Sequence, residues 1–308
     1  MTIIAPGIRF LDLRHQGTPQ VVATAVLEGA DKVALIDPGP ASALDELNEQ
    51  LALGGLVLGN VEAIVLTHIH LDHAGAVGTI VRDHPHITVY VHERGAPHLV
   101  NPEKLLASAT RLYGDRMATL WGAVEPVPSA NLRILKGGET ITAGGHELQT
   151  AYTPGHASHH IAYFDAPSRI AFVGDVAGVS IPPANVIVPP TPPPDIDVEL
   201  WERSIEAILA WQPDALFLTH FGLKQNPAIH LQELAERLRY WARLVKDLMA
   251  TEPSEDARRS KFARQVGLEM RRSVSSAEEV RYGLAIQLDQ SYNGLERYWT
   301  KKAERASR

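Results

Sequence analysis

Three imidazoles and a carboxylate fall within six consecutive residues of the stretch Thr67-His68-Ile69-His70-Leu71-Asp72-His73-Ala74-Gly75. An apolar run, Ala63-Ile64-Val65-Leu66, leads directly into it. Imidazole nitrogen and carboxylate oxygen are ligands suited to Zn, Fe or Mn. In an extended loop side chains alternate with period two, so His68 and His70 point the same way. Asp72 and His73 follow where a helix would begin and can turn toward a second position. The stretch is thus able to serve two metals. A capped or solvated strand-end histidine is the bland alternative, and it suffices for one residue. Burying four such groups without a metal would leave several polar groups to satisfy locally.

Three further candidates share one placement. His156 follows a strand in Thr153-Pro154-Gly155-His156, and Asp175 follows the apolar run Ile170-Ala171-Phe172-Val173. His220 follows Ala215-Leu216-Phe217-Leu218. Active-site groups commonly gather in loops beyond strand ends. Together with the first stretch these complete seven ligands, enough for two metals. Asp37 also ends a strand, either as a turn residue or as a carboxylate orienting a metal-binding loop. His84, His86, His92 and His98 form no tight cluster and read as surface or core residues.

Positioning these groups requires strands that end at one edge. Residues 8–13, 20–27 and 32–36 read as strands of a meander, closed by Asp37-Pro38-Gly39-Pro40. A helix is expected over 41–53, a buried strand over 61–66, a helix over 73–83 and a strand over 88–91. Residues 101–121 read as one helix with an apolar stripe. It is either core-facing or a lid over the metal site, with Tyr113 offering a hydroxyl to substrate. The second half resembles the first, with strands over 133–135, 139–142, 146–152, 161–164 and 170–173. Helices are expected over 197–211 and 227–249 around the strand 215–218.

Seven prolines in residues 182–194 favour a stiff extended path. This loop reads as a pocket wall in which Val186, Ile187 and Val188 would suit an acyl or lactone group. Lys224, just after the His220 loop, is a candidate contact for an anionic substrate group, although such a lysine is more often only solvated. Residues 1–250 are expected to form the main domain. Residues 251–308 are expected to form a helical extension whose Tyr282, Tyr292, Leu295, Tyr298 and Trp299 dock on the core or on a second subunit of a homodimer. Its basic run, Arg258 to Arg272, reads as a solvated face.

Composition bounds the function. The chain has 308 residues, 45% of them hydrophobic, and a formal net charge of −7, which argues against a general nucleic-acid binder. It has 14 His and no Cys, which excludes disulfides and thiolate metal sites. No signal peptide is read at the start, and no window approaches the ~20 apolar residues of a membrane helix. A cytoplasmic protein acting on a small molecule, with no membrane or nucleic-acid partner, is the expectation.

The motif His68-x-His70-x-Asp72-His73, followed by His156, Asp175 and His220, resembles that of the metallo-β-lactamase superfamily. The resemblance covers roughly residues 8–225 and implies an α+β fold, a four-layer αββα sandwich with the metals at one edge. It implies that His68, His70 and His156 bind one metal, that Asp72, His73 and His220 bind the other, and that Asp175 bridges them. Two divalent ions are implied, zinc first, with Fe, Mn or Co acceptable to the same ligands. Cations ~3.5–4 Å apart hold a water and lower its pKa, so that a bridging hydroxide attacks the substrate. Asp72 would orient it and carry its proton to the leaving group.

Asp175 fits the glyoxalase II-like thioesterases, lactonases and phosphodiesterases of that superfamily better than its antibiotic-degrading members. His70 stands where the flavin-partnered diiron branch usually has Glu. The segment Thr153 to Phe164 looks glyoxalase II-like, and His160 falls where that group often has a second, orienting histidine. Hydrolysis of a carboxylic ester, lactone or thioester is the leading expectation. A phosphodiesterase is the competitor, and no basic groove is visible near the motif to favour it. An iron-dependent persulfide dioxygenase, which uses one iron, is the oxidoreductase alternative, and a catalytically dead scaffold is a third.

Overall fold

In the computed structural model, which describes residues 1–307, two sheets stack face to face with helices on both outer faces. The first sheet runs β1 (Thr2–Ala5), β2 (Ile8–Asp12), β3 (Ala23–Glu28), β4 (Val33–Ile36), β5 (Val61–Val65), β6 (Thr88–His92) and β7 (Leu132–Leu135) in spatial order. β1 to β4 pair antiparallel, and β4 to β7 pair parallel. Parallel neighbours need crossovers. These are supplied by α1 (Leu44–Leu53), α2 (Leu71–Ala74), α3 (Val77–Asp83), α4 (Ala96–Val100), α5 (Glu103–Tyr113) and α6 (Met117–Trp121).

The second sheet begins with β8 (Thr140–Ala143), β9 (His146–Tyr152), β10 (Ile161–Asp165) and β11 (Ile170–Phe172). A two-stranded ribbon, β12 (Val179–Ser180) with β13 (Ile187–Val188), stands apart from it. After α7 (Val198–Ala210), β14 (Ala215–Leu218) pairs parallel with β11, and β15 (Gly222–Gln225) closes the sheet. The crossovers β4-α1-β5 and β11-α7-β14 are the common plan of the two halves. α8 (Pro227–Thr251), α9 (Glu255–Met270), α10 (Ser276–Ala285) and α11 (Leu288–Ala306) complete the chain. Among the described residues, no helix is long and apolar enough to cross a membrane.

The layers follow from alternation along each strand. Ala25, Leu27 and Val65 of the first sheet meet Tyr163, Phe172 and Phe217 of the second in a shared core. The opposite faces carry the helices. Leu35 and Ile64 pack on Leu47 of α1 and Ile80 of α3. Phe164, Leu216 and Leu218 pack among Trp201 of α7, Leu234 of α8 and Phe262 of α9. This is the expected αββα arrangement. Tyr282, Tyr292, Leu295 and Tyr298 join that last cluster, so the C-terminal helices share a continuous core with the second sheet. The basic run pairs internally, Arg258 with Glu296 and Arg271 with Glu279.

Two expected helices are broken. Over 73–83, the Asp37 loop intrudes: Gly39 N takes His73 O, and Gly39 O takes Ala76 N, so α2 ends before α3 begins. Over 101–121, α5 stops at Gly114, whose φ of 53° lies in the left-handed region, and a 3-10 turn leads into α6. The first-half strand β1, the ribbon and β15 are additions to the expected set.

One contact between the sheets is pH-sensitive. His146 Nδ1 lies 3.0 Å from Asp165 Oδ1, and its Nε2 lies 3.2 Å from Gly7 O. Both partners are acceptors, so only the imidazolium satisfies both. The hydrogen bond to Asp165 accordingly holds the His146 pKa above its usual value of 6.5. The resulting stability is complete below the unfolded-state pKa and is lost as pH rises through the raised folded one. His146→Gln is expected to lower Tm by about 2 °C at pH 6 and by much less at pH 9. Scanning calorimetry at the two pH values checks this; an equal loss at both would refute the charged bridge.

Candidate metal centre

All seven expected donors arrive at one edge of the sandwich, each from a segment that follows a strand. The β5–α2 loop brings His68 and His70, α2 itself brings Asp72 and His73, and the β9–β10 loop brings His156. Asp175 stands in a 3-10 turn after β11, and His220 lies between β14 and β15. Donor atoms of His68, His70, His156 and Asp175 lie within 4.8 Å of one another, as do those of Asp72, His73 and His220. His70 Nδ1 is 3.0 Å from both His68 Nε2 and His156 Nε2.

Asp175 divides its oxygens between the groups. Its Oδ2 lies 3.4 Å from His156 Nε2, and its Oδ1 lies 3.3 Å from His73 Nε2 and 3.6 Å from His220 Nε2. Asp72 Oδ2 is 3.3 Å from His220 Nε2. Gly174 lets Asp175 approach. Its φ is +44°, and a Cβ there would come within 2.5 Å of Thr67 Oγ1 and 2.8 Å of His160 Nε2.

In four of the five histidines the ring nitrogen facing away from the cluster is engaged. His68 Nδ1 meets Thr67 Oγ1 at 3.1 Å, and His73 Nδ1 meets Asp37 Oδ2 at 2.8 Å. His156 Nδ1 meets Pro190 O at 2.8 Å, and His220 Nδ1 meets Val21 O at 2.6 Å. Thr67 spends its hydroxyl proton on Asp37 Oδ2, so toward His68 it can only accept. Each of these rings therefore carries a proton on Nδ1 and turns Nε2 inward, the arrangement that prepares imidazole for a cation.

Burial makes the same demand. His73 Nε2, His220 Nε2 and Asp175 Oδ1 are sealed from solvent without a hydrogen-bond partner. Such atoms are costly unless something satisfies them, and nitrogen lone pairs with carboxylate oxygens fit a divalent cation. Burial, reinforced by neighbouring imidazoles, pushes the His68 pKa far down and that of His70 to about 4, so both rings are neutral. For His73 burial also works downward, but the carboxylates of Asp175, Asp37 and Asp72 outweigh it and hold its pKa well above 6.5, so its Nε2 keeps a proton that a cation would displace on binding.

Asp37 is fully buried. It accepts from Thr67 N at 2.8 Å, Thr67 Oγ1 at 2.6 Å, Thr219 Oγ1 at 2.9 Å and His73 Nδ1. It therefore orients both ligand-bearing loops. His160 holds Thr153 Oγ1 through Nδ1 at 2.8 Å and stacks on His68 at 5.2 Å between centroids. It lies behind His68 without entering the cluster.

The donors open onto a cavity of about 490 Å³, within the usual size of a small-molecule site. Leu71, Ala109, Leu120 and Trp121 form a buried apolar wall, with Tyr113 beside it. Burial, helped by the Asp72 charge, raises the Tyr113 pKa and keeps its hydroxyl protonated. Lys224 is elsewhere: on β15 its Nζ donates to Asn185 Oδ1 at 2.6 Å, away from this cavity. The proline loop does line it, through Pro190 and Pro192–Pro194. Ile187 and Val188 instead form the ribbon and pack in the core.

Other lining residues carried no sequence signal. Lys104 and Arg111 from α5, Arg116 from the 3-10 turn after it and Arg94 from the turn after β6 reach the cavity, so a basic rim exists although no basic run lies near the motif. His98 and His159 line it too. His159 lies three residues after His156 in the Thr153–Phe164 segment, and that spacing is its one sequence signal. Gly283–Gln287 and Gln290–Ser291 close the cavity from the C-terminal helices.

The profile of the metallo-β-lactamase superfamily matches residues 17–220. The metallo-β-lactamase fold-containing protein ST1585 of Sulfurisphaera tokodaii is 27% identical over 223 residues, covering 71% of this chain and 80% of that protein. The crystal structure of ST1585 aligns with a TM-score of 0.65 at 21% identity, covering 94% of this chain and 98% of that one. The probable metallo-hydrolase YflN of Bacillus subtilis is 30% identical over 226 residues, 66% of this chain and 81% of YflN. A hydroxyacylglutathione hydrolase of Citrobacter koseri is 30% identical over 145 residues, 46% of this chain and 41% of that enzyme.

Asp37→Asn keeps the size of the side chain but places an amide donor against at least one other donor, Thr67 N if the amide oxygen takes the Oδ2 position. It is expected to weaken divalent-metal retention roughly 10- to 100-fold while leaving the fold's circular dichroism unchanged. Competition with a chelator measures this, and unaltered retention would show that Asp37 does not orient the ligands.

Proposed function

The chain belongs to the metallo-β-lactamase superfamily, and on that premise we propose that it is a two-metal hydrolase of carboxylic esters, lactones or thioesters. One observation carries the proposal: seven convergent donors, divided by Asp175, open onto a cavity walled by buried apolar side chains. His68, His70 and His156 would hold one ion, Asp72, His73 and His220 the other, with Asp175 between them. When bound, the ions supply an activated water and stabilise negative charge on a carbonyl oxygen.

The chain's own groups do the rest. Asp72 lines the cavity, and its side chain keeps 19% of its exposure, so its carboxylate can take a proton from the attacking water and pass it to the leaving group. Tyr113 offers a protonated hydroxyl beside that path. Leu71, Ala109, Leu120 and Trp121 hold an acyl chain or lactone ring and keep bulk water away from the reacting carbon. The partial likeness to a hydroxyacylglutathione hydrolase supports an acyl substrate.

Phosphodiester cleavage is the second reading, favoured by the basic rim of the cavity. The deciding measurement is the initial rate of the metal-loaded protein on a medium-chain lactone and on a simple phosphodiester. Lactone opening is expected to be faster and to fall at least roughly a hundredfold in Asp175→Ala. Faster phosphodiester cleavage would overturn the carbonyl reading while keeping the two-metal site. Elemental analysis is expected to find two metals per chain; a single iron would favour an oxidoreductase.

A further inference from the structure

Burial grades the cavity from floor to mouth. The metal-binding donors are buried at the floor, apart from the part-exposed His70 and Asp72. The apolar belt comes next, with Leu71, Ala109, Leu120 and Trp121 at most 9% exposed. Arg94, Lys104, Arg111 and Arg116 line the same cavity and are all exposed, so they stand at its mouth.

α5 builds both zones at once. Leu105, Ala109 and Leu112 fall at i, i+4 and i+7 and form the apolar stripe, while Lys104, Ser108 and Arg111 repeat the spacing one residue earlier. All six line the cavity. Arg94 faces them from the turn after β6 and lies over the Tyr152 ring at 5.7 Å. Arg116 donates only to the neutral Gln287, at 3.4 Å.

None of these four cations has a carboxylate within ion-pair distance among the described residues, in a chain whose formal net charge is −7. The acids that line the cavity are committed elsewhere: Asp72 and Asp175 to the donor cluster, and Asp195 to Ser158 N at 3.2 Å. Unpaired cations at one opening attract an anion and raise its local concentration.

We infer that the substrate carries an anionic group, such as a carboxylate, separated from its scissile carbonyl by an apolar segment, and that Arg94, Lys104, Arg111 and Arg116 receive it at the mouth. This rests on the carbonyl hydrolase reading and narrows it. A phosphodiester places its charge on the reacting atom, at the floor. An apolar belt between floor and rim instead suits a molecule with its reactive group at one end and its charge at the other.

The test uses two thioesters of one leaving group, octanoyl- and 7-carboxyheptanoyl-N-acetylcysteamine, on the metal-loaded full chain. The carboxylated thioester is expected to show roughly tenfold higher kcat/KM at low salt. That ratio should approach one at ~1 M salt, where the Debye length is ~3 Å. It should fall to one or below in Lys104→Glu/Arg111→Glu, whose positions are exposed and not part of the core. Cleavage of both thioesters with equal kcat/KM, or a ratio untouched by the double reversal, would overturn the inference and leave the hydrolase reading standing.

If neither is cleaved, the thioester branch of that reading fails, and equilibrium binding of the same pair, read by tryptophan fluorescence at Trp121, decides. Tighter binding of the carboxylated compound in the wild type but not in the variant supports the inference. Equal binding refutes it.

Discussion

A single buried carboxylate holds together the edge where the seven histidine and aspartate side chains converge. Asp37 accepts four hydrogen bonds from three residues, and they lie in two loops that come from different sheets. Through Thr67 it sets the tautomer of His68; directly it sets that of His73; through Thr219 it fixes the loop of His220. One residue of the first donor group and two of the second thus depend on it. A carboxylate so deeply buried is tolerable only because every donor around it is in place. Its φ of 51° is held by the same contacts. The price of that position is borne by the loops, which must keep one geometry.

The rest of the site repeats the logic with backbone acceptors. Pro190 O orients His156, so the stiff proline loop acts on a ligand as well as on the cavity wall. Val21 O orients His220 from the turn before β3. Buried packing supplies the rigidity: Trp201 lies edge-on to His156 at 5.6 Å between centroids, with its Nε1 donating to Val176 O at 2.7 Å. The rings of His68, His73, His156 and His220 are therefore fixed from behind, and their inward nitrogens need no reorientation to meet a cation.

The walls obey a different constraint. They come from α5, the turn after β6, the proline loop and the segment that joins α10 to α11, segments separated by up to two hundred residues in sequence. None carries a motif. Helical spacing in 101–121 revealed an apolar stripe, but Gly114 and the neighbouring turn decide where that stripe faces. Val186–Val188 were read as acyl-binding because they are apolar, whereas two of them satisfy a ribbon and the core. Lys224 follows His220 and is a candidate substrate contact, though such a lysine is more often only solvated; β15 carries it away from the cavity. Nearness in sequence to a ligand says little about nearness in space once a strand intervenes.

The sequence by itself marked the seven side chains that converge, the strand ends they follow and the layered α+β plan. Those are written locally: four ligands in six residues, apolar runs of strand length and period-two alternation are short-range signals. Only the tertiary structure decided which oxygen of Asp175 faces which group, that Asp37 binds two loops together, and that a cationic rim crowns an apolar cavity. Each of those depends on pairs of residues far apart in the chain. Their relation is set by the packing of two sheets and the docking of the C-terminal helices, and no local pattern encodes it.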